Sequence, residues 1–352
     1  MTPFPSRELA ERLVRKAWTD YAAGGEITGL VEVSAHVSTN RVFRVMFDSG
    51  THIVAKISSY GSYFLFAEDH DRLFTSTKLL KDSRWENFLA EVLPRDDHAY
   101  TWYDGQYWVA FYTDVERASQ LPPILNSVQI KNLAREIADF HRHCSRISRH
   151  LPATSNSVKG DAIHLLDQLS HEFAAEHFGL SHDEIEIAKR STHEFLLHLE
   201  KIRFDEWEKI PILVDWNLGN FSIKQRNDGF DLFSRWDYDW FRIDTRMLDF
   251  YFLSRVSSET GDRTSFTYSP HTLVEPRFLE FLKEYHSVFA LSRQELLFLP
   301  WAYRFFILNY VIREGSKFFR AEISTKFRKD ATRMYLPMLN RFDSSVLLSV
   351  ID

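Results

Sequence analysis

The chain has a single cysteine, Cys144, among 352 residues. One thiol cannot close an internal disulfide, and no Cys/His spacing suits a zinc site. Nor do the 15 histidines fall into a metal-binding pattern. There is no excess of basic residues: 43 Lys and Arg stand against 49 Asp and Glu, a net charge of −6. That balance argues against a general nucleic-acid binder, which must neutralise phosphates. A long hydrophobic run is also missing. The most apolar stretch, WAYRFFILNYVI at 301–312, carries Arg304 and Asn309 and falls short of the ~20 residues of a membrane span. It is expected to be a buried helix, with no membrane partner. Glu8 and Glu11 come too early for a secretory leader. Repeats and low-complexity tracts are absent. These absences point to a cytoplasmic protein in a reducing compartment.

What is present is a mixed pattern. Thirty Phe and nine Trp are more than a core of this size ordinarily needs; plain core is the simplest reading, and the excess also fits a wide apolar interface between lobes or an aromatic-lined pocket. Residues 6–22 have helical spacing, with Ser6 as N-cap. Three short alternating segments then lie within 27–58, the last two joined by the turn signal DSG at 48–50. Residues 64–93 read as two helices, and 101–116 as a hairpin with DG at its tip. Beyond this point the chain turns mainly helical. Leu133, Ile137 and Phe140 mark one buried helix face. Polar helices follow over 161–205, and 276–345 is helical throughout. An NDG turn at 227–229 joins two short strands inside this region. The expected fold class is α+β, with a small antiparallel sheet lobe over 1–115 and a large, mainly helical lobe over 116–352.

Four features recur in a meaningful order. VAK ends at Lys56 on the third strand, and Glu68 lies early in the next helix, with Asp69 and Asp71 as competing acids nearby. PILVDWNLGN carries Asp215 and Asn220, and Asp237 follows the NDG hairpin. Phosphoryl transfer needs such a set, because a triphosphate must be neutralised and aimed. A lysine can hold phosphate oxygens, with a helix carboxylate to keep it in place. Mg2+ takes hard oxygen ligands, which an Asn carbonyl and an Asp can supply. A second Asp beside the attacking hydroxyl can accept its proton. The hairpin returns Asp237 to the neighbourhood of Asn220.

VDWNLGN resembles the catalytic loop of the aminoglycoside phosphotransferase-like kinases, written H-G-D-x-x-x-x-N. WDYDWFRIDTRMLDFYF resembles the segment that follows in that superfamily. AHVSTNRVFRV is similar to its phosphate loop, and LAREIADFHR to its long helix. The branch containing choline, homoserine and methylthioribose kinases is the nearest in pattern. The resemblance covers about residues 25–255 and implies a bilobal protein-kinase-like fold. It implies that Asp215 is the catalytic base, Asn220 and Asp237 the metal ligands, and Lys56 the phosphate lysine with Glu68 as its partner. Ser38, Thr39 and Asn40 would cover the phosphates. Phe111, Thr113 and Val115 would belong to a hinge that reads adenine through backbone groups. Asp249 would brace the catalytic loop. ATP and Mg2+ are the implied cofactors.

Departures from the pattern are specific. Leu213 replaces the His of the motif and Val214 its Gly. No glycine lies between Gly29 and Gly50, and Arg235 takes a usually apolar strand position. Only eleven residues separate Asp237 from Asp249, and no A-P-E follows. That leaves no room for a peptide-binding activation segment, so the expected acceptor is a small molecule phosphorylated on a hydroxyl. An inactive pseudokinase, sensing nucleotide or acting as a scaffold, is the competing reading. Asp239 suits either a second metal or a solvated turn. Charge is uneven: nine acids against Lys189 and Arg190 over 161–200, and nine Lys/Arg against four acids over 301–345. Two solvated helix faces would explain this, as would a pocket polarised for its acceptor, with Arg313, Lys317 and Arg320 on the basic side. Cys144 is expected to be inert, and His141 and His143 to serve helix surface and packing.

Overall fold

Apolar side chains on one face of an N-terminal helix meet the alternating apolar face of a sheet. In the computed structural model, which describes residues 5–22, 24–34, 40–262 and 268–351, this helix is α1, Arg7–Tyr21. Ser6 caps it by accepting the Leu9 N–H at 3.2 Å. Ala10, Leu13, Val14 and Ala17 pack with Phe43, Val45, Ala55, Ile57, Val109 and Phe111 into one core. The strands are β1 Ile27–Glu32, β2 Arg41–Phe47 and β3 His52–Ser58. The Asp48–Gly50 turn closes as expected, with Gly50 at φ 79° and its N–H bonded to the Phe47 carbonyl at 3.0 Å.

After β3 comes one helix, α2, Tyr63–Leu79. The second helix expected before residue 93 does not form. The chain turns at Asp82, which takes φ 64°, and the next turns bury Trp85, Phe88 and Leu89. A two-residue pair follows, β4 Pro94–Arg95 with β5 His98–Ala99. The hairpin of β6 Thr101–Tyr103 and β7 Trp108–Thr113 completes a five-stranded sheet of order β1-β2-β3-β7-β6. Every pairing in it is antiparallel.

Two compact units emerge. The first comprises Met1–Arg117 with the short segments Leu151–Ser155 and Ser234–Trp236. These segments join it through specific bonds. Arg72 donates to the Ala153 carbonyl at 2.7 Å, and the Arg235 N–H donates to the Phe88 carbonyl at 2.7 Å. The Arg235 side chain is fully buried there.

The second unit is mainly helical. Its long helix α3, Ser127–Ser148, opens with an Asn126–Gln129 capping box and packs along α8, Pro276–Val288. Between them in sequence lie α4 Val158–Ser170, α5 Ala174–Phe178, α6 His182–Lys201 and α7 Phe250–Val256. Strands β8 Ile210–Ile212 and β11 Arg242–Asp244 pair antiparallel. β9 Phe221–Arg226 and β10 Gly229–Arg235 form the NDG hairpin. Helix α9, Arg293–Phe306, runs into π-helical turns over Ile307–Arg313. This Arg293–Arg313 run is long and apolar enough to cross a membrane by length and composition, yet 78% of its apolar window is packed inside the unit.

The two charge-biased segments pair with each other. Asp161 meets Arg313 at 2.8 Å, Glu194 meets Arg304 at 2.9 Å, and Glu184 meets Arg333 at 2.5 Å. These three pairs join the two segments within one unit. The other six acids, Asp167, Glu172, Glu176, Asp183, Glu186 and Glu200, are exposed, so the rest of the acidic excess is mostly solvated helix face.

Candidate active site

The loop bearing Asp215 leaves β8 through two consecutive three-residue turns. The Asp215 N–H donates to the Leu213 carbonyl at 2.6 Å, and the Trp216 N–H to the Val214 carbonyl at 3.1 Å. Val214 sits at φ 56°. A β-branched residue in the left-handed region is strained, by about 1–2 kcal/mol, and persists only where its surroundings over-determine it. Leu213 and Val214 are each 1% exposed, so both positions serve as core.

Asp249 supplies that constraint. Its Oδ1 accepts the Val214 N–H at 2.7 Å, and its Oδ2 accepts the Trp216 indole N–H at 2.6 Å. Oδ2 also meets His141 Nε2 at 2.9 Å. His141 Nδ1 lies 2.8 Å from the Tyr285 hydroxyl, which Arg246 approaches at 3.4 Å. Arginine only donates and a carboxylate only accepts. Arg246 therefore donates to the Tyr285 oxygen and His141 Nε2–H to Asp249, with the Tyr285 hydroxyl and His141 Nδ1 in hydrogen-bond contact between them. Glu295, the third residue of α9 and partner of its N-cap Ser292, holds Arg246 in turn at 2.7 and 2.9 Å. His141 is thus fully buried and part of the brace, rather than a surface or packing residue. His143 is partly buried and bonds the Asp139 carbonyl at 2.8 Å.

The Asp215 carboxylate is partly exposed, and its Oδ1 accepts the Asn217 N–H at 3.2 Å. Asn220 closes a short helical turn, its N–H donating to the Asn217 carbonyl at 2.9 Å. β9 begins at the next residue. The hairpin turns at Asn227 and Asp228, and β10 ends at Arg235. Strands of six and seven residues joined by two return Asp237 to the end of the hairpin where Asn220 stands. Asp237 is exposed, takes φ 70°, and accepts the Asp239 N–H at 3.2 Å. A neighbour of the loop is Tyr251, fully packed and pushed up to about 12 mainly by burial, with the charge of Asp215 adding to the shift.

In the first unit, Lys56 is 5% exposed, facing Val42 and Ala110 in register. Glu68 does not take it as partner. The Glu68 carboxylate accepts from Thr154 Oγ1 at 3.1 Å and from the Ser155 N–H at 2.7 Å and Oγ at 3.1 Å. Its remaining neighbour is Arg72 at 3.7 Å. Glu68 and Arg72, one turn apart on α2, share the face that meets Leu151–Ser155, whereas the sheet-facing side lies about half a turn away. His70 of α2 feels the charge of Lys56 and is buried between the Phe66 carbonyl and the Tyr112 hydroxyl. Burial lowers its pKa to about 3, opposed by the Phe66 bond and assisted by the charge of Lys56.

Two of the three hinge residues prove to be sheet. The Phe111 carbonyl accepts the Leu93 N–H at 2.8 Å and its ring is core; the Thr113 N–H donates to the Glu91 carbonyl at 2.9 Å. Their register with β3 explains this, since Ala55 and Ile53 stand opposite. Val115 lies beyond the strand and is partly buried. Its neighbour Asp114 is held by Arg44 at 2.6 Å. Asn40 is 3% exposed, at the start of β2, whereas Ser38 and Thr39 lie outside the described residues. Cys144 is buried, which pushes its thiol up.

Among the described residues no group of three or more His, Cys, Asp or Glu side chains gathers to hold a metal. Asn220 and Asp237 are one amide and one carboxylate. Such hard oxygen donors fit Mg2+, which completes its octahedron with phosphate and water.

No family model matches the chain, and no curated protein is similar to it at the level of sequence. Solved structures are similar to it over nearly their whole length. An amicoumacin kinase in complex with AMP-PNP and Ca2+ superposes with a TM-score of 0.63 at 13% identity, covering 94% of this chain and 97% of that one. A microcompartment-associated aminopropanol kinase gives 0.60 at 17% identity, covering 97% and 99%. An ethanolamine kinase of Plasmodium vivax gives 0.56 at 11%, covering 97% of each. At these identities the likeness shows the fold: an α+β, kinase-like architecture shared with small-molecule phosphotransferases.

Proposed function

We propose that this protein transfers the γ-phosphoryl group of ATP to a hydroxyl of a small-molecule acceptor, with Mg2+. The observation that carries the reading is the pinned loop. Asp215 and Asn220 lie on one backbone segment held by Asp249, and the β9–β10 hairpin returns Asp237 beside it. Asp215 would accept the proton of the acceptor hydroxyl as its oxygen bonds to the γ-phosphorus. The bond from that phosphorus to the bridging oxygen breaks, and ADP leaves. Asn220 and Asp237 would hold the Mg2+, which neutralises phosphate charge when bound. Lys56 is the candidate phosphate lysine, and Asn40 and the segment after Thr113, with Val115, the candidate nucleotide contacts. The acceptor class is supported by the solved structures of like fold, which act on aminopropanol, ethanolamine and amicoumacin. The eleven residues between Asp237 and Asp249 leave no peptide-binding segment. Use of ATP and a single buried thiol suit the cytoplasm.

The test is a melting experiment with Mg-ATP on wild type and Asp237→Ala, since a ligand of the native state raises apparent stability. Stabilisation that needs Mg2+ and is lost in the variant supports a metal–nucleotide site. An acceptor screen over aminoalcohols, sugars and aminoglycosides follows, with Asp215→Ala as the inactive control. No response to any nucleotide would leave a scaffold in place of a kinase.

A further inference from the structure

The Asn220 half of the loop has an anchor of its own. Asp262 Oδ2 accepts the Leu218 N–H at 2.7 Å, across 44 residues of sequence. Leu218 opens the short turn that ends at Asn220. The first N–H groups of such a turn have no partner within it, and Asp262 supplies one.

The segment that presents Asp262 is tightly specified. Gly261 takes φ 63°, and a Cβ there would stand 2.1 Å from the Pro123 carbonyl oxygen. Only glycine fits that position. The Gly261 N–H bonds the Ser258 carbonyl and the Ser258 Oγ, each at 3.2 Å. The Asp262 N–H donates to the Pro123 carbonyl at 2.8 Å, and the Glu259 N–H to the Glu275 carboxylate at 2.8 Å. Four bonds and one obligatory glycine thus fix where a single carboxylate points. Burial raises the Asp262 carboxyl above the usual range, against the opposing pull of the Leu218 N–H and of Arg255. A desolvated acceptor aimed at one backbone N–H is a structural commitment.

We propose that Asp262 is a positioning residue that sets the Asn220 half of the loop, as Asp249 sets the Asp215 half. Its consequence for turnover rests on the phosphotransferase reading above, whereas the brace itself does not. Mg2+ tolerates little departure from octahedral geometry. With two donors from the protein, a loop free to shift by about 1 Å would lose metal affinity and alignment together.

The experiment uses the full chain, with Asp262→Ala and Asp262→Asn, and reads hydrogen–deuterium exchange without ligand. In the Ala variant, exchange in a peptide covering 214–222 should rise about tenfold or more, while peptides in α3 and α8 stay unchanged. Asparagine keeps a carbonyl that can accept the same N–H, so that variant should restore protection. Unchanged exchange at 214–222 in Ala overturns the proposal. So does a rise of equal size across α3 and α8, which is general destabilisation. A second readout is the Mg2+ concentration that half-saturates the ATP-dependent melting shift. It should rise about tenfold in Ala and return in Asn. If wild type shows no shift with Mg-ATP, the kinase reading falls, and the exchange result still decides the brace.

Discussion

Asp249→Asn tests the loop's main brace. The carboxylate accepts three donors, at 2.7, 2.6 and 2.9 Å, in a fully buried position. An amide offers one oxygen and one NH2. With its oxygen toward Val214, its NH2 confronts both the Trp216 indole N–H and His141 Nε2. With the amide reversed, the Val214 N–H is orphaned instead. Each unsatisfied buried donor costs about 1–3 kcal/mol. His141 can relieve one clash by moving its proton to Nδ1 and donating to the Tyr285 oxygen. In the reversed arrangement, relaxation of Val214 from φ 56° returns about 1–2 kcal/mol instead. The net expectation is a loss of about 3 kcal/mol, the balance of the orphaned donors against the one relief each orientation allows. A unit of this size shifts by about 2–4 °C per kcal/mol, so Tm should fall by about 6–12 °C. Thermal unfolding followed by circular dichroism reads this, with tryptophan fluorescence reporting Trp216. A fall below about 2 °C with unchanged fluorescence would mean that Asp249 does not hold the loop.

Further expectations concern the first unit. Folded His70 is kept neutral down to a pKa of about 3, while the unfolded chain takes its proton below about 6.5. The unfolded state therefore binds more protons, and stability should fall by about 1.4 kcal/mol per pH unit from pH 6.5 downward, to about 2 kcal/mol at pH 5. His70→Gln should remove that slope from urea midpoints measured between pH 5 and 7.5; equal slopes in both proteins would sink the assignment. Glu68→Ala should expose Leu151–Ser155 to limited proteolysis and cost about 1.5–3 kcal/mol, while Mg-ATP affinity stays within about threefold. A tenfold loss of ATP affinity with that segment still protected would show that Glu68 serves the nucleotide after all.

Local chemistry made much of the fold legible in advance. The N-cap at Ser6, the glycine at the Asp48–Gly50 turn and the NDG hairpin each encode their element within a few residues. The same holds for the loop, whose acid and amide lie on one short segment. What could not be read depends on distant partners. Glu68 faces Ser155 because a segment 87 residues later returns to α2. His141 looked like a helix surface residue because its partners, Asp249 and Tyr285, lie 108 and 144 residues away. The three ion pairs between the acid-rich and base-rich stretches were hidden for the same reason. Asp262 carried no signal at all, since SSETGD reads as an ordinary turn. The expected helix before residue 93 failed because burial of Trp85 and Phe88 overrode helical spacing.

The departures at Leu213 and Val214 gain a physical explanation from the braces. Glycine at the Val214 position would reach φ 56° without strain, whereas valine reaches it only while Asp249 holds its N–H. In exchange, two apolar side chains are buried where the related motif has His and Gly. Such a loop depends more heavily on its anchors than a glycine-containing one. Those anchors are extensive: the Arg246–Tyr285–His141–Asp249 chain behind Asp215, and the Asp262 turn behind Asn220. A scaffold released from catalysis would have no need to maintain backbone strain at the residue before Asp215. Val214→Gly separates the two demands. It should weaken the unit by loss of buried side chain, yet make loop geometry less dependent on Asp249, so that the Asp249→Asn penalty shrinks by the strain no longer stored. A double-mutant cycle in Tm measures that coupling, and strictly additive losses would show that Val214 stores no strain.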